Sequence, residues 1–177
     1  HVQLMPFYEV GYGTQIASWD TANAASTTCA FPGNVASGSL LIVCGASWQS
    51  GSGNTAVAVT DSLSTSYTVL LGTAIASSGG NSRGFLAYGL ALSAGANTVT
   101  IDPSGASNYI TGGIDEFSGP HATPLDVDGG ESTGTSTAPT DSVTTVTDHD
   151  LVVGVLWTAD ASATIAPARN TMVIDTE

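Results

Sequence analysis

Apolar and polar residues alternate with a period of two along most of this chain, and few segments show helical spacing over ten or more residues. β-Branched residues fill the alternating stretches, and Gly, Asn, Ser and Asp punctuate them. The pattern predicts strands over Val2–Val10, Thr14–Trp19, Ser26–Phe31, Ser39–Ser47, Thr55–Thr60 and Tyr67–Leu71. It predicts further strands over Gly84–Leu92, Thr98–Ile101, Ile110–Phe117, Val143–Thr147, Leu151–Trp157 and Met172–Ile174. Most of their starts lie roughly 8 to 17 residues apart, the rhythm of a β-sandwich or jelly roll. The expected fold is therefore all-β: one antiparallel β-sandwich domain, jelly-roll-like, over residues 1–177.

Turn signals separate the strands. "FPGNVASG" reads as a connection between two of them, and "TDSLSTSY" as a hairpin turn with Asp61 and Ser62 capping backbone amides. The Gly-, Ser- and Thr-rich stretch Asp128–Ser142 reads as a surface loop or a linker between sheets.

Charge narrows the partners. The chain has fifteen acids against two basic residues, Arg83 and Arg169, for a formal net charge of −13. That balance argues against nucleic acid, whose binding rests on Lys and Arg, and against anionic membranes. No apolar run approaches the roughly 20 residues of a membrane-spanning helix, so no membrane insertion is expected. With so few cations, ion pairs contribute little, and stability must come from apolar burial and backbone ladders.

The two cysteines, Cys29 and Cys44, flank a Pro-Gly turn on consecutive predicted strands. If those strands pair, a disulfide is expected, worth on the order of 3 kcal/mol for a loop of this size. Two buried thiols are the alternative. A C-x-x-C motif is absent, so zinc or redox chemistry is not expected. The disulfide would place the protein outside a reducing compartment.

Four constellations are candidates for chemistry or binding. Asp126, Asp128 and Glu131 in "PLDVDGGE" could supply oxygens to calcium, although Asp126 also suits a strand-end cap and Asp128 a turn. No other cofactor is expected. Trp48, with Tyr67 and Tyr109, is a candidate carbohydrate-binding set, because aromatic rings beside polar side chains stack and orient sugars. "GESTG" around Ser132 matches the nucleophile-elbow pattern, with Asp141 and His149 following in triad order. It lacks the strand before and the helix after that the elbow needs. His1, if it is the mature amino terminus, could bind copper with His121 or His149, as in a polysaccharide oxidase. Asp115 and Glu116 are adjacent and must face opposite sides of a strand, so they make no paired acid–base site.

The order of several short motifs resembles a known module. "STTCAFPGNVASGSLLIVCGASW", "VTDSLSTSYTVL", "ALSAGANTVTID", "YITGGIDEFSGPHATPLDVDGG" and "SVTTVTDHDLVVGVLW" follow one another between Ser26 and Trp157. Together they are similar to a β-sandwich module common in secreted bacterial and phage-associated proteins. The resemblance implies a non-catalytic protein, extracellular or on a virion, often found beside glycan-binding or adhesion domains. The cysteine pair is unusual for the module, and "EFSG" at Glu116–Gly119 stands where its pattern has a Tyr. The pattern also continues past "LVVG" through further strands, which suggests either a truncated sequence or a C-terminal sandwich edge completed by a neighbouring chain.

The expected function is thus a non-catalytic extracellular structural and interaction module: a surface protein, a virion decoration or a filament subunit. Its expected partners are copies of itself or other surface or virion proteins. A carbohydrate-binding module is the alternative, and a copper-dependent oxidase acting through His1 a remote one.

Overall fold

The computed structural model of the chain describes residues 15–50, 56–72, 75–77, 80–103, 108–120, 122–131, 133–134, 142–146, 151–155 and 173–174. Its strands are β1 (Gln15–Ala24), β2 (Thr27–Val35), β3 (Leu40–Ser50), β4 (Val57–Asp61), β5 (Thr68–Leu71) and β6 (Ile75–Ser77). They continue with β7 (Gly80–Leu90), β8 (Gly95–Pro103), β9 (Asn108–Phe117), β10 (Leu151–Val152) and β11 (Val173–Ile174). Among the described residues there is no helix, and so none long and apolar enough to cross a membrane.

The strands form two antiparallel sheets and one short pair. The larger sheet has six strands in the order β1-β9-β3-β7-β5, with β6 also pairing β7. The smaller sheet runs β2-β8-β4, and β10 pairs with β11 alone. Cys29, Phe31, Val59, Val99 and Ile101 from the smaller sheet share one buried cluster with Leu41, Val43, Phe85, Ile110 and Ile114 from the larger. This is the predicted all-β sandwich. The first five strands change sheet at every step, as the chain of a jelly roll does.

That alternation corrects three sequence expectations. Strands β2 and β3 are consecutive but do not pair: β2 pairs with β8, and β3 with β7 and β9. "FPGNV" is not the turn. β2 runs through it, and Pro32 and Gly33 fall where the register with β8 shifts, between Ala30 and Asn34. Pro is tolerated there because β2 is an edge strand with an irregular ladder. The turn comes later, where Gly38 takes φ +83° and Ser39 N–H donates to Ala36 O at 3.3 Å. "TDSLSTSY" is a turn with the predicted caps, but its flanking strands lie in different sheets, so it is a corner and not a hairpin.

Other boundaries moved less. Strands β1, β3, β7 and β9 begin or end a few residues away from the predicted limits, and β6 was not predicted at all. Residues 143–146, described from the expected strand Val143–Thr147, are irregular, and so are 153–155 of the expected strand Leu151–Trp157. The predicted strand Val2–Val10 lies outside the described residues.

Strand β3 is buried on both of its faces over Leu40–Cys44. Leu41 and Val43 point between the sheets. Leu40, Ile42, Cys44 and Ala46 alternate with them and point outward, yet they are buried as well. A strand covered on both faces reads as an unbroken apolar run, which is what "LLIVC" is.

The expected disulfide is absent, and the same alternation is the reason. Cys29 points into the intersheet core, whereas Cys44 points away from it on the outer face of β3. Both are buried thiols, not joined to each other. Burial pushes the Cys29 thiol above its ordinary range, which keeps it protonated and unreactive.

Polar side chains fasten the corners at one end of the sandwich. The Asp61 carboxylate accepts hydrogen bonds from Leu63 N–H (3.1 Å), Thr65 N–H (2.9 Å), Tyr67 O–H (3.0 Å) and Asn97 Nδ2 (2.8 Å). Ser62 adds a bond in the same place, its Oγ accepting from Thr98 N–H at 3.0 Å. These contacts tie the β4–β5 corner to the start of β8. The backbone there includes Ser64 at φ 60°, a conformation that the surrounding bonds hold in place. Burial alone would raise the Asp61 carboxyl, but the hydrogen bonds from Asn97, Thr65 and Tyr67 outweigh it and hold the group below its usual range.

A carboxylate held low in the fold adds stability above the ordinary carboxylate range, about pH 4, and loses it as pH falls through the lowered value. Asp61→Ala is expected to cost about 2–4 kcal/mol, and Tyr67→Phe about 1 kcal/mol. Urea titrations across pH check both, and Asp61→Asn should show a flatter stability profile below about pH 4 than the parent. The cysteines are checked by thiol titration without reductant: none should react in the native protein and both should react once it is unfolded. An unfolded chain with no titratable thiol would restore the disulfide.

Candidate functional site

The register between β3 and β9 brings two of the predicted aromatic residues together. Trp48 lies directly opposite Tyr109, and both sit on the outer face, because Val43 on β3 and Ile110 on β9 point inward. Their rings meet edge to face, with centroids 5.5 Å apart and planes 66° apart. Such pairs contribute roughly 0.5–1.5 kcal/mol beyond the area they bury. Trp48 is half-buried, and Tyr109 keeps 44% of its surface exposed.

Glycine makes room for the indole. On the other side of β3, Trp48 pairs with Ser82 of β7, and Gly80 is the next residue of β7 on that face. A Cβ on Gly80 would lie 2.8 Å from Trp48 Cζ2, closer than side chains approach one another. The indole therefore reaches over the start of β7, while Tyr109 stands beside it on β9. Beneath them the inner face turns polar: Ser47 and Gln49 are buried there, opposite Arg83 and Asn81.

Tyr67 does not belong to this set. It lies next to Thr68, which pairs with Tyr88, six residues along β7 from the Ser82 that pairs with Trp48. At the usual strand rise that is about 20 Å away. Its ring packs against the core and its hydroxyl donates to Asp61. Burial, and then the neighbouring Asp61 charge, push the phenol far above its ordinary value. Tyr67 is a fastener of the corner and not a sugar contact.

The carboxylates proposed for calcium hold backbone instead. Asp126 Oδ2 accepts from Val146 N–H at 2.7 Å, and Asp128 Oδ1 from Gly130 N–H at 2.9 Å, with Gly130 at φ +74°. These are the cap and the turn that the sequence offered as the alternative. Glu131 is exposed. Among the described residues, no group of three His, Cys, Asp or Glu side chains is placed to hold a metal ion. His1, His121, Ser132, Asp141 and His149 lie outside the described residues.

One carboxylate escaped the sequence reading. Glu116 is only 2% exposed, and its Oε1 accepts from Ala36 N–H at 2.8 Å. Glu116 belongs to β9 of the larger sheet, and Ala36 follows β2 of the smaller one. The bond joins the two layers across 80 residues of sequence. Asp115, its neighbour, points to the opposite face as expected. No local pattern marks Glu116, because its partner is set by topology.

Glu116→Ala is expected to lower stability by about 2–3 kcal/mol, since it removes a buried side chain and the acceptor of the Ala36 amide. Glu116→Gln retains an acceptor and should lose less; equal losses in chemical denaturation would show that the bond to Ala36 is not what matters. Set against known proteins, the chain has no match to a protein-family model, a curated protein or a solved structure. The all-β sandwich that the motif resemblance implied therefore rests on the coordinates, and the particular module has no support beyond the motifs themselves.

Proposed function

We propose that this chain is a non-catalytic structural and interaction module that works outside the cell, on a cell surface, a virion or a filament. The observation that carries this reading is the use made of its acids. Asp61, Glu116, Asp126 and Asp128 each accept a hydrogen bond from a backbone amide at a corner, a loop or between the layers. They act as fasteners of a framework. The net charge of −13 suits a soluble outer surface and turns away nucleic acid and anionic lipid.

The smaller sheet offers a route to assembly. It ends on β4, which among the described residues pairs on one side only, with β8. An open edge of this kind accepts a strand from another chain through main-chain hydrogen bonds. Its other edge, β2, is interrupted by Pro32 and Gly33, which spoil it for pairing. The expected partner is a second copy or another surface protein, added along β4.

Light scattering on material purified under native conditions is expected to show species larger than one chain. Replacing Ala58, an exposed position of β4, with Lys blunts the edge without removing a ladder bond and should shift them toward the monomer. A monodisperse monomer under all conditions, with no lattice or filament in electron micrographs, would remove the proposal.

A further inference from the structure

We propose that the corner made by Trp48 and Tyr109 is a stacking site for a neutral sugar ring of a glycan. This inference rests on the reading of the chain as an interaction module and names what it holds. The two rings lie on the face turned away from the intersheet core, and the more exposed of them, Tyr109, is the second residue of β9. The edge-to-face contact, with planes 66° apart, leaves 44% of Tyr109 exposed. The C–H face of a pyranose can lie against one ring while its edge meets the other.

The corner is held before any ligand arrives. β3 is bonded on both sides, to β7 and to β9, so the backbone that carries Trp48 is fixed. Gly80 leaves the indole its place over β7. Aromatic side chains have only two rotatable bonds, so holding them costs little entropy on binding. Preorganisation of this kind is what converts a small contact into measurable affinity.

Charge selects among ligands. A chain with fifteen acids and two basic residues repels sulfated and uronic-acid glycans. A quaternary ammonium is attracted by acidity and by ring faces, but it needs rings on several sides, and two rings at an angle leave it open. A neutral hexose asks only for a ring face and hydrogen-bonding groups at its rim.

Affinity electrophoresis of the whole chain through gels containing neutral polysaccharides, a sulfated polysaccharide or no additive tests this. At least one neutral polysaccharide should retard the protein. Tyr109→Ala and Trp48→Ala should each weaken the retardation by about tenfold or more, and Tyr109→Phe should keep most of it. Tyr109 is exposed enough that its alanine variant should melt close to the parent, which separates lost contact from lost fold. Retardation by none of the neutral polysaccharides, by the sulfated one alone, or equally in parent and variants would overturn the site. So would its abolition by choline at concentrations that leave the fold intact. Light scattering on the same samples keeps the two proposals apart: a protein that assembles but ignores every glycan sinks the aromatic site and leaves the interaction module standing.

Discussion

Leu41 and Val43 point between the sheets, so Ile42, Cys44 and Trp48 point away from them. This strict two-residue alternation along the central strand of the larger sheet governs the rest of the molecule. It puts Cys44 on the far side of the sheet from Cys29, which is why two cysteines that look adjacent in a turn remain thiols. It puts Trp48 on the same face as Tyr109 and so creates the aromatic corner. The same alternation on β9 puts Glu116 inward, where it reaches Ala36 in the other layer, while Asp115 faces out. A one-residue slip of β3 would reverse the placements of Cys44 and Trp48 together.

A chain almost without cations has to use its acids differently from most proteins. Carboxylates here meet N–H and O–H donors in place of ammonium or guanidinium groups. Such bonds gain from the ionised acceptor without needing a buried positive charge. They also suit a jelly-roll chain, which turns between layers again and again and leaves backbone amides at each corner that no ladder satisfies. Asp61 and Ser62 answer that need at the β4–β5 corner, and Glu116 answers it after β2. The fold and the composition are thus two sides of one arrangement.

How much of this could be read from residues alone depended on how local each cause was. Strand positions were legible because alternation is local, and the cap by Asp61 was legible because its partners Leu63 and Thr65 lie within four residues. Strand pairing was not. Assuming that neighbours in sequence pair gave a β2–β3 hairpin and, with it, a disulfide; the layered topology separates those strands. Asn97 and Glu116 were missed for the same reason, since their partners lie 36 and 80 residues away. Of the aromatic set, Trp48 and Tyr109 meet because the β3–β9 register sets them opposite each other. Tyr67 was grouped by type and belongs at the other end.

That division between ends has consequences for function. Ala36, Asp61, Tyr67, Ala91 and Asn97 gather where β3 and β8 begin, and there the chain is bolted by Asp61, by Glu116 and by the backbone bonds from Gly38 N–H to Ala91 O and from Ala91 N–H to Ser39 O. Trp48 and Tyr109 lie at the opposite end, where β3 finishes and β9 starts. The Asp61 carboxylate and the Asn97 amide are engaged in holding the corner, whereas Tyr109 keeps 44% of its surface exposed. A sandwich that locks one end with hydrogen bonds can leave side chains at the other shaped for contact, because the stability they forgo there is supplied elsewhere. If the Trp48 corner binds as proposed, substitutions at the two ends should separate cleanly, the first changing binding and the second changing the fold's resistance to unfolding.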